Sequence, residues 1–254
     1  MKAIVFAAGK GTRLKPFTDH HPKALAPFGN TTALGIVLER LARAGADRIV
    51  VNVHHFADQV VEWLNTRNYS ADIIVSDESA MLLDTGGALV KIFREHMLGN
   101  PADDEPIMVH NADIITDFPI REMARALDGA DAVILADPCR DTSRKFLFDR
   151  NSWLKGWINS TTGAVRPSGI ETGDFSPAAF DGVHCMTRHM LEKISYYCGP
   201  IHPFSITDCY IDACTQTDMV RRYTPTQSFR WYDIGTPDRL LTAQQAYNNG
   251  LLKL

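Results

Sequence analysis

The chain has 254 residues, of which 45% are hydrophobic and 22% charged, and its formal net charge is -4. This composition is typical of a globular protein, and the length suits one large α/β domain or two small ones. The sequence lacks the basic excess of most nucleic-acid binders, and no apolar stretch is long enough for a membrane span or a signal peptide. We therefore predict a cytoplasmic protein with neither nucleic-acid nor membrane partners.

The five cysteines do not indicate a disulfide framework or a zinc ribbon. Their number is odd, and no two of them are spaced as Cys-x-x-Cys. We predict reduced thiols.

Short apolar runs alternate with amphipathic segments through the first half of the chain. The runs at residues 3–7, 49–53, 73–75, 107–109 and 132–136 predict strands that are buried on both faces. Between them, apolar residues recur at helical spacing within residues 34–41, 56–64, 89–93 and 120–127. This order predicts right-handed βαβ units in an α/β fold, with a Rossmann-like open, mostly parallel sheet flanked by helices.

The pattern changes after Asp137-Pro138. Residues 140–177 are rich in Ser, Thr, Gly, Asp and Arg, which predicts hairpins and a small antiparallel lobe. Helices at residues 188–194 and 206–217 and short strands at 220–223 and 230–233 are predicted to follow. Thr236 and Pro237 have the residue types that begin a last helix. We predict one domain over residues 1–254.

A Gly-rich loop follows the first predicted strand. Its backbone N–H groups could bind phosphate oxygens, and its residues are Ala7, Ala8, Gly9, Lys10, Gly11, Thr12, Arg13 and Leu14. The loop is not a dinucleotide fingerprint, because Leu14 stands where the third Gly is needed. It is not a Walker A loop either, because Gly9-Lys10 is followed by Gly11.

Two cations accompany this loop. Arg13 could bind phosphate oxygens bidentately, and Pro16, Pro22 and Pro27 stiffen a stretch that presents Lys23. Around a triphosphate, Arg13 and Lys23 would offset the charge that builds up during phosphoryl chemistry.

The segment from Ala7 to Pro27 resembles the signature loop of the sugar-1-phosphate nucleotidyltransferases. The matching residues are Ala7-Ala8-Gly9-x-Gly11-Thr12-Arg13-Leu14-x-Pro16, followed by Pro22-Lys23 and Pro27. The resemblance implies that a nucleoside triphosphate and a sugar 1-phosphate react in line to give a nucleotide-sugar and pyrophosphate, with Mg²⁺ as cofactor. It also implies a nucleotide-binding half at about residues 1–137 and a sugar-binding half at about 138–254.

The third helix is predicted to begin with a second Gly-containing element, Asp84-Thr85-Gly86-Gly87. Thr85 could cap this helix, and the glycines would let a ligand approach the backbone. The resemblance implies that Gly86 and Gly87 lie beside the nucleotide base, and more loosely that Glu78 contributes to nucleotide binding.

Two acidic residues end predicted strands. Ligands of open α/β sheets lie at the carboxyl ends of strands, so Asp113, which follows Asn111-Ala112, is well placed to hold a metal. Asp233 ends a later strand, and Mg²⁺ prefers one or two carboxylates together with phosphates and waters. The family elements Asn/Gly-Gly-Asp and Trp-x-Asp-x-Gly-Thr match Asn111 to Asp113, with Ala in place of Gly, and Trp231 to Thr236. The resemblance implies catalytic roles for Arg13, Lys23 and Asp113, nucleotide binding by Asn111, and metal binding by Asp113 and Asp233.

The sugar side departs from the family. No Glu-Lys-Pro element, whose Lys holds the sugar phosphate in many members, occurs between Ser160 and Phe180, and Arg166 or Lys155 could substitute. The run from Phe180 to His184 resembles the strand that lines the sugar pocket, which implies sugar contacts for Asp181 and Gly182.

Within the family, the chain is similar to the N-acetylmuramate 1-phosphate uridylyltransferases of cell-wall recycling. It has Thr-Gly-Gly, it lacks the usual Lys, and it has no counterpart of the C-terminal β-helix of longer members. UTP is the favoured nucleotide, mannose-1-phosphate guanylyltransferase is the alternative, and cytidylyl or thymidylyl transfer stays open. Two other classes remain: a glycosyltransferase, which would want Asp-x-Asp at the position of Asn111, and a non-catalytic nucleotide sensor. The sequence does not indicate an oligomeric state.

Overall fold

The computed structural model describes residues 1–102, 105–127, 129–215 and 219–254. The strands are β1 (Lys2–Phe6), β2 (Pro27–Phe28), β3 (Thr31–Thr32), β4 (Arg48–Val53), β5 (Asp72–Asp77), β6 (Ile107–Asn111), β7 (Ile114–Thr116), β8 (Ala132–Asp137), β9 (Arg144–Phe148), β10 (Leu154–Asn159), β11 (Ala164–Arg166), β12 (Ser176–Met186), β13 (Val220–Tyr223) and β14 (Trp231–Asp233). The helices are α1 (Ala33–Arg43), α2 (Ala57–Asn65), α3 (Asp84–Arg94), α4 (Ile120–Arg125), α5 (Arg188–Cys198), α6 (Ile206–Cys214) and α7 (Pro237–Asn248). The predicted end of α6, Thr217, lies outside the described residues.

The main sheet has the order β13-β8-β12-β6-β1-β4-β5. Strand β1 pairs in parallel with β4 and β6, β5 is parallel to β4, and β13 is parallel to β8. Strand β12 is antiparallel to both β6 and β8 and separates them. The predicted open, mostly parallel, Rossmann-like sheet is confirmed, but the insertion of β12 between two strands of the first half was not predicted.

The predicted antiparallel lobe is also present. It consists of β9, β10 and β11, and it joins the main sheet through residues 176–178 of the long strand β12. The pairing of β12 with β8 is irregular between Phe180 and His184, where Gly182 has a φ of +75°. The irregularity at Gly182 therefore lies four residues beyond the part of β12 that pairs with the lobe.

Alternate residues of β1 contact different layers of helices, as expected for a strand buried on both faces. Ala3 and Val5 pack in a core cluster with Leu38 of α1, whereas Ile4 packs in the opposite cluster with Leu89 of α3. A third cluster joins the Gly-rich loop to α7. It includes Leu14, Phe28, Ile36, Ile115, Ile234 and Ala243. Ile115 and Ile234 fix the backbone beside the two predicted metal ligands.

Some local predictions need correction. Helix α4 ends at Arg125, so Leu127 lies outside it. Thr85 does not cap α3, because that helix begins at Asp84 and its preceding residue, Leu83, makes no side-chain cap. The Thr85 hydroxyl instead accepts a hydrogen bond from Ile206 N at 2.9 Å, at the start of α6.

Two expectations from composition can be compared with the fold. All five cysteines are free, as predicted. Among the described residues, the helices are too short or too polar to cross a membrane.

Candidate active site

The Gly-rich loop is folded tightly against Lys23. Gly11 has a φ of +62°, and a Cβ at this position would lie 2.8 Å from both Lys23 Cβ and Thr18 Cγ2. The Thr18 hydroxyl donates a hydrogen bond to Gly11 O at 2.9 Å. A side chain at residue 11 would strain the left-handed backbone and push Lys23 away. Gly11 therefore sets the position of Lys23, a residue that is only 9% exposed.

Three charged side chains converge on Gly235. A Cβ built on this glycine would lie 2.7 Å from Asp233 Oδ1, 3.0 Å from Arg13 Nη2 and 3.3 Å from Lys23 Nζ. The bare Cα of Gly235 thus gives room for side chains from the Gly-rich loop, from the segment after it and from β14. The structure brings together Arg13, Lys23 and Asp233, as the sequence predicts.

Each predicted metal ligand is already paired with a cation. Lys23 Nζ bonds to Asp113 Oδ2, and Arg239 Nη1 lies 2.7 Å from Asp233 Oδ2. The other oxygen of Asp233 accepts a hydrogen bond from Gly235 N at 2.8 Å. These contacts hold both carboxylates in place, and the paired cations offset their charge.

Two cavities meet at these residues. One, of about 420 Å³, is lined by residues of the Gly-rich loop and by Lys23, Asn52, Asp84 and Thr85. The other, of about 610 Å³, is lined by Arg13, Arg140, Asp181, Gly182 and Asp233, among others. Asn111 and Asp113 line both cavities. The cluster of charges therefore stands between two separate binding spaces.

A chain of hydrogen bonds supports the wall of the first cavity. Ala7 N donates to Asn52 Oδ1 at 2.8 Å, Asn52 Nδ2 donates to Glu78 Oε1 at 2.8 Å, and Leu83 N donates to Glu78 Oε2 at 3.1 Å. Glu78 is only 2% exposed, and burial raises its pKa, an effect that its bond to Asn52 partly offsets. Glu78 stands behind Asn52, which itself lines the cavity. The position of Glu78 indicates that Glu78 supports the wall of the cavity.

Gly86 and Gly87 make close contacts with another segment of the chain. Their N–H groups donate to Phe204 O, at 2.8 Å and 3.4 Å. A Cβ on Gly86 would lie 2.2 Å from the Phe204 ring, and one on Gly87 would lie 2.4 Å from His202 O. The segment around Phe204 thus lies in the space that the glycines leave, and their place beside a nucleotide base stays a prediction. The neighbouring Asp84 and Thr85 line the cavity.

The predicted sugar-binding residues line the second cavity. Gly182 allows Asn111 to approach, because a Cβ there would lie 2.6 Å from Asn111 Nδ2. Asp181 is 2% exposed, and burial raises its pKa to about 7, although the charge of Arg140 opposes this shift. Asp181 Oδ1 lies 2.9 Å from Arg140 Nη1, and Asp181 O accepts a hydrogen bond from Trp231 Nε1 at 2.9 Å.

Neither suggested substitute for the missing lysine lies in this region. Arg166 pairs with Asp208 at 2.5 Å, and Lys155 lies 3.6 Å from Asp149. Neither residue is part of the wall of either cavity. The suggestion that Arg166 or Lys155 holds the sugar phosphate is therefore wrong in its placement.

Sequence reasoning missed three residues of the site: Asn52, Arg140 and Arg239. Asn52 could have been found, since it stands near the carboxyl end of a predicted strand, where ligands of α/β sheets bind. Arg140 lies in a segment rich in polar residues, where nothing in the spacing distinguishes it. Arg239 belongs to the first turn of α7, and only its contact with Asp233 shows its place.

Charge gathered where two cavities meet is the arrangement expected of an enzyme that transfers a phosphorus-containing group between two bound substrates. Residues 2–144 match the model of the family described as nucleotidyl transferase. The chain belongs to that family, and it is a sugar-1-phosphate nucleotidyltransferase.

Its relatives differ in nucleotide and sugar. The chain is 31% identical over 211 residues to an N-acetylmuramate alpha-1-phosphate uridylyltransferase of Caulobacter vibrioides, with 80% of each chain covered. It is 40% identical to a mannose-1-phosphate guanyltransferase of Aspergillus oryzae, where the match covers all of this chain but 66% of the relative. A solved structure of a putative glucose-1-phosphate thymidylyltransferase from Bacillus anthracis has a TM-score of 0.75 at 19% identity, and the match covers 96% of this chain and 94% of that one. This last likeness shows the fold alone.

Proposed function

We propose that the enzyme joins UTP to N-acetylmuramate 1-phosphate and releases pyrophosphate. The observation that carries the proposal is the convergence of Arg13, Lys23 and Asp233 around Gly235, at the junction of the two cavities. The nucleotide would occupy the cavity beside the Gly-rich loop, and the sugar would occupy the cavity beside Asp181 and Gly182. A cytoplasmic location and a place in cell-wall recycling belong to the same proposal.

The residues of the cluster would act by positioning and by charge. The attacking sugar phosphate is already anionic, so no general base is required. Arg13 would stabilise the charge of the leaving pyrophosphate, and Lys23 would contact the α-phosphate or the sugar phosphate. The N–H groups of the Gly-rich loop, from Ala7 to Thr12, would hold the triphosphate oxygens. In-line geometry would follow from having one substrate in each cavity.

The donor set fits Mg²⁺. Asp113 and Asp233 line one cavity, and carboxylate oxygens are ligands that Mg²⁺ prefers. Within the described ranges no three His, Cys, Asp or Glu side chains are grouped as metal ligands, so substrate oxygens and waters would complete the set. When bound, the ion would neutralise phosphate charge during the transfer. Lys23 and Arg239 would then release the two carboxylates and bind substrate oxygens.

The relatives support two substrate pairs. The match to the uridylyltransferase of Caulobacter vibrioides covers 80% of this chain and 80% of the relative. The guanyltransferase of Aspergillus oryzae is more similar in sequence, at 40% identity, but the match leaves a third of it uncovered. GTP with mannose 1-phosphate is therefore the second candidate.

The test is pyrophosphate release with Mg²⁺, measured for each common nucleoside triphosphate with N-acetylmuramate 1-phosphate, N-acetylglucosamine 1-phosphate, glucose 1-phosphate and mannose 1-phosphate. We expect the highest kcat/KM with UTP and N-acetylmuramate 1-phosphate. A preference for GTP and mannose 1-phosphate would replace the first substrate pair with the second. Nucleotide binding without release on any pair would favour the sensor, and transfer of sugar from a nucleotide-sugar would favour the glycosyltransferase.

A further inference from the structure

Arg140 stands in the second cavity, held by contacts on three sides. One Nη donates a hydrogen bond to Phe180 O, and the guanidinium carbon lies 4.8 Å from the centre of the Trp231 ring. Its other Nη lies 2.9 Å from Asp181 Oδ1, and the Arg140 side chain is 25% exposed. A planar cation stacked on an aromatic ring has little rotational freedom, so its N–H groups keep a fixed direction.

The guanidinium has unused capacity for an anion. Arginine has five N–H donors, and Arg140 commits one of them to Phe180 O. The contact with Asp181 is an ion contact without hydrogen-bond alignment, since Asp181 Oδ1 has no hydrogen-bond partner among the described residues. Burial raises the pKa of Asp181 to about 7, so near neutral pH this carboxyl offsets only part of the Arg140 charge. The remaining N–H groups can bind an oxyanion in the two-pronged manner typical of arginine.

Arg140 lies apart from the charged side chains that gather beside Asp233. Trp231 and Asp233 alternate with Tyr232 in β14, so their side chains leave the same face of the strand, about 6.7 Å apart. Arg140 lies over Trp231, whereas Arg13 and Lys23 gather beside Asp233. This spacing is comparable with the width of a sugar ring. A sugar whose phosphate lies at Asp233 would therefore present a ring substituent to Arg140.

We propose that Arg140 binds an anionic substituent on the sugar, so that the second cavity selects a sugar 1-phosphate that also carries a carboxylate. The inference rests on the proposed function, and it assigns the choice of sugar to one residue. Arg13, Lys23 and Arg239 gather at Asp233, where the reacting phosphates would lie, which leaves Arg140 for the other end of the sugar.

The experiment compares the full-length wild type with Arg140→Gln on two substrates that differ by one carboxylate. N-acetylmuramate 1-phosphate has a lactyl carboxylate, and N-acetylglucosamine 1-phosphate has the same ring without it. The readout is the ratio of the two kcat/KM values. We expect Arg140→Gln to lower this ratio by about 10- to 100-fold, the effect of losing a hydrogen bond between charged groups. Arg140→Lys keeps the positive charge but loses the planar guanidinium that binds an oxyanion with two N–H groups. We therefore expect its ratio to lie between those of the wild type and Arg140→Gln.

The matched control is Arg144→Gln, an exposed arginine four residues further on that is not part of the cavity wall, and we expect it to leave the ratio unchanged. Loss by the same factor on both sugars would mean that Arg140 holds the 1-phosphate or the fold, and it would overturn the proposal. An unchanged ratio would overturn it as well. If Arg140→Gln does not fold, Arg140→Lys takes its place in the test. A lower ratio of the two kcat/KM values than in the wild type would then support the proposal, and an unchanged ratio would overturn it. A wild type that uses neither sugar 1-phosphate would instead contradict the proposed substrate pair.

Discussion

Lys23 Nζ bonds to the carboxylate of Asp113, which lies 90 positions further along the chain. The stem of Lys23 packs against Gly11, and its side chain is 11% exposed. The segment after the Gly-rich loop and the segment after β6 are thus joined by an ion pair at the junction of the cavities. A phosphate that enters this junction would compete with Asp113 for the ammonium, and a metal ion would compete with Lys23 for the carboxylate.

Replacing Lys23 is expected to lower turnover strongly. We expect Lys23→Ala to reduce kcat/KM by about 100- to 1000-fold, the usual effect of removing one donor that stabilises developing charge. Lys23→Arg should not restore activity, because the larger planar group must fit where Gly11 and Thr18 already crowd the stem. Lys15→Ala is the control, since Lys15 is 62% exposed and pairs with Asp19. Wild-type kinetics in Lys23→Ala would contradict a role for this ammonium.

A methyl group at Gly235 is expected to disturb the cluster without removing any charge. It would lie 2.7 Å from Asp233 Oδ1 and 3.0 Å from Arg13 Nη2, so both side chains must move. Misplacement on this scale can lower turnover about 100-fold, and we expect kcat of Gly235→Ala to fall by about 10- to 100-fold. The melting temperature should change little, because the displaced atoms are ends of flexible side chains.

The control for this experiment is Gly173→Ala, whose new methyl group would meet no atom of the described residues within 4 Å. Its turnover and melting temperature should both match those of the wild type. Full turnover in Gly235→Ala would show that the positions of Arg13 and Asp233 do not limit the reaction.

Two buried histidines are expected to make the protein sensitive to acid. Burial lowers the pKa of His110 to about 4 and that of His184 to about 3. In the unfolded chain histidine titrates near pH 6.5, so below that pH the unfolded state binds protons that the folded state excludes. The free energy of unfolding should therefore decrease on acidification, by about 1.4 kcal/mol per pH unit for each histidine.

The raised pKa of Asp181 acts in the opposite direction. The stabilising contribution of Asp181 to the free energy of unfolding is fully present below the pKa of about 3.9 in the unfolded chain. It is lost as the pH rises through the folded-state pKa of about 7. A comparison of His184→Gln with the wild type isolates the histidine, because Asp181 is present in both. Urea unfolding at pH 7 and pH 5 should show a decrease that is about 2 kcal/mol smaller in His184→Gln. The exposed His189 provides the control, since His189→Gln should keep the wild-type decrease. An equal decrease in all three proteins would contradict the expectation for His184.

The order of strands and helices in the first half follows from hydrophobic periodicity, because a strand buried on both faces leaves a continuous apolar run. Ala3, Ile4 and Val5 show this, since they divide between the two core clusters. Periodicity does not encode which strands are neighbours. Residues 176–186 form a strand between β6 and β8, and this pairing joins residues more than forty positions apart, such as Ala179 and Asp137.

The residues of the candidate site also divide into those that a local pattern predicts and those that depend on contacts between distant segments. Gly11, Arg13 and Lys23 could be predicted because one local segment carries them. The contact of Arg239 with Asp233 and the stacking of Arg140 on Trp231 join separate segments, so no local pattern predicts them. Gly86 and Gly87 show the converse case, where a local pattern indicates a close approach but does not name every partner. A glycine indicates that something approaches the backbone closely, and here Phe204 is one such neighbour.

The most direct test of the central claim, that Arg13, Lys23, Asp113 and Asp233 carry out nucleotidyl transfer, is the rate of pyrophosphate release by Arg13→Ala and Asp113→Asn. It should be measured with Mg²⁺ and the substrate pair that the wild type prefers. We expect turnover to fall by about 100- to 1000-fold in both variants, with melting temperatures close to that of the wild type. Near-normal turnover in both variants would contradict the claim.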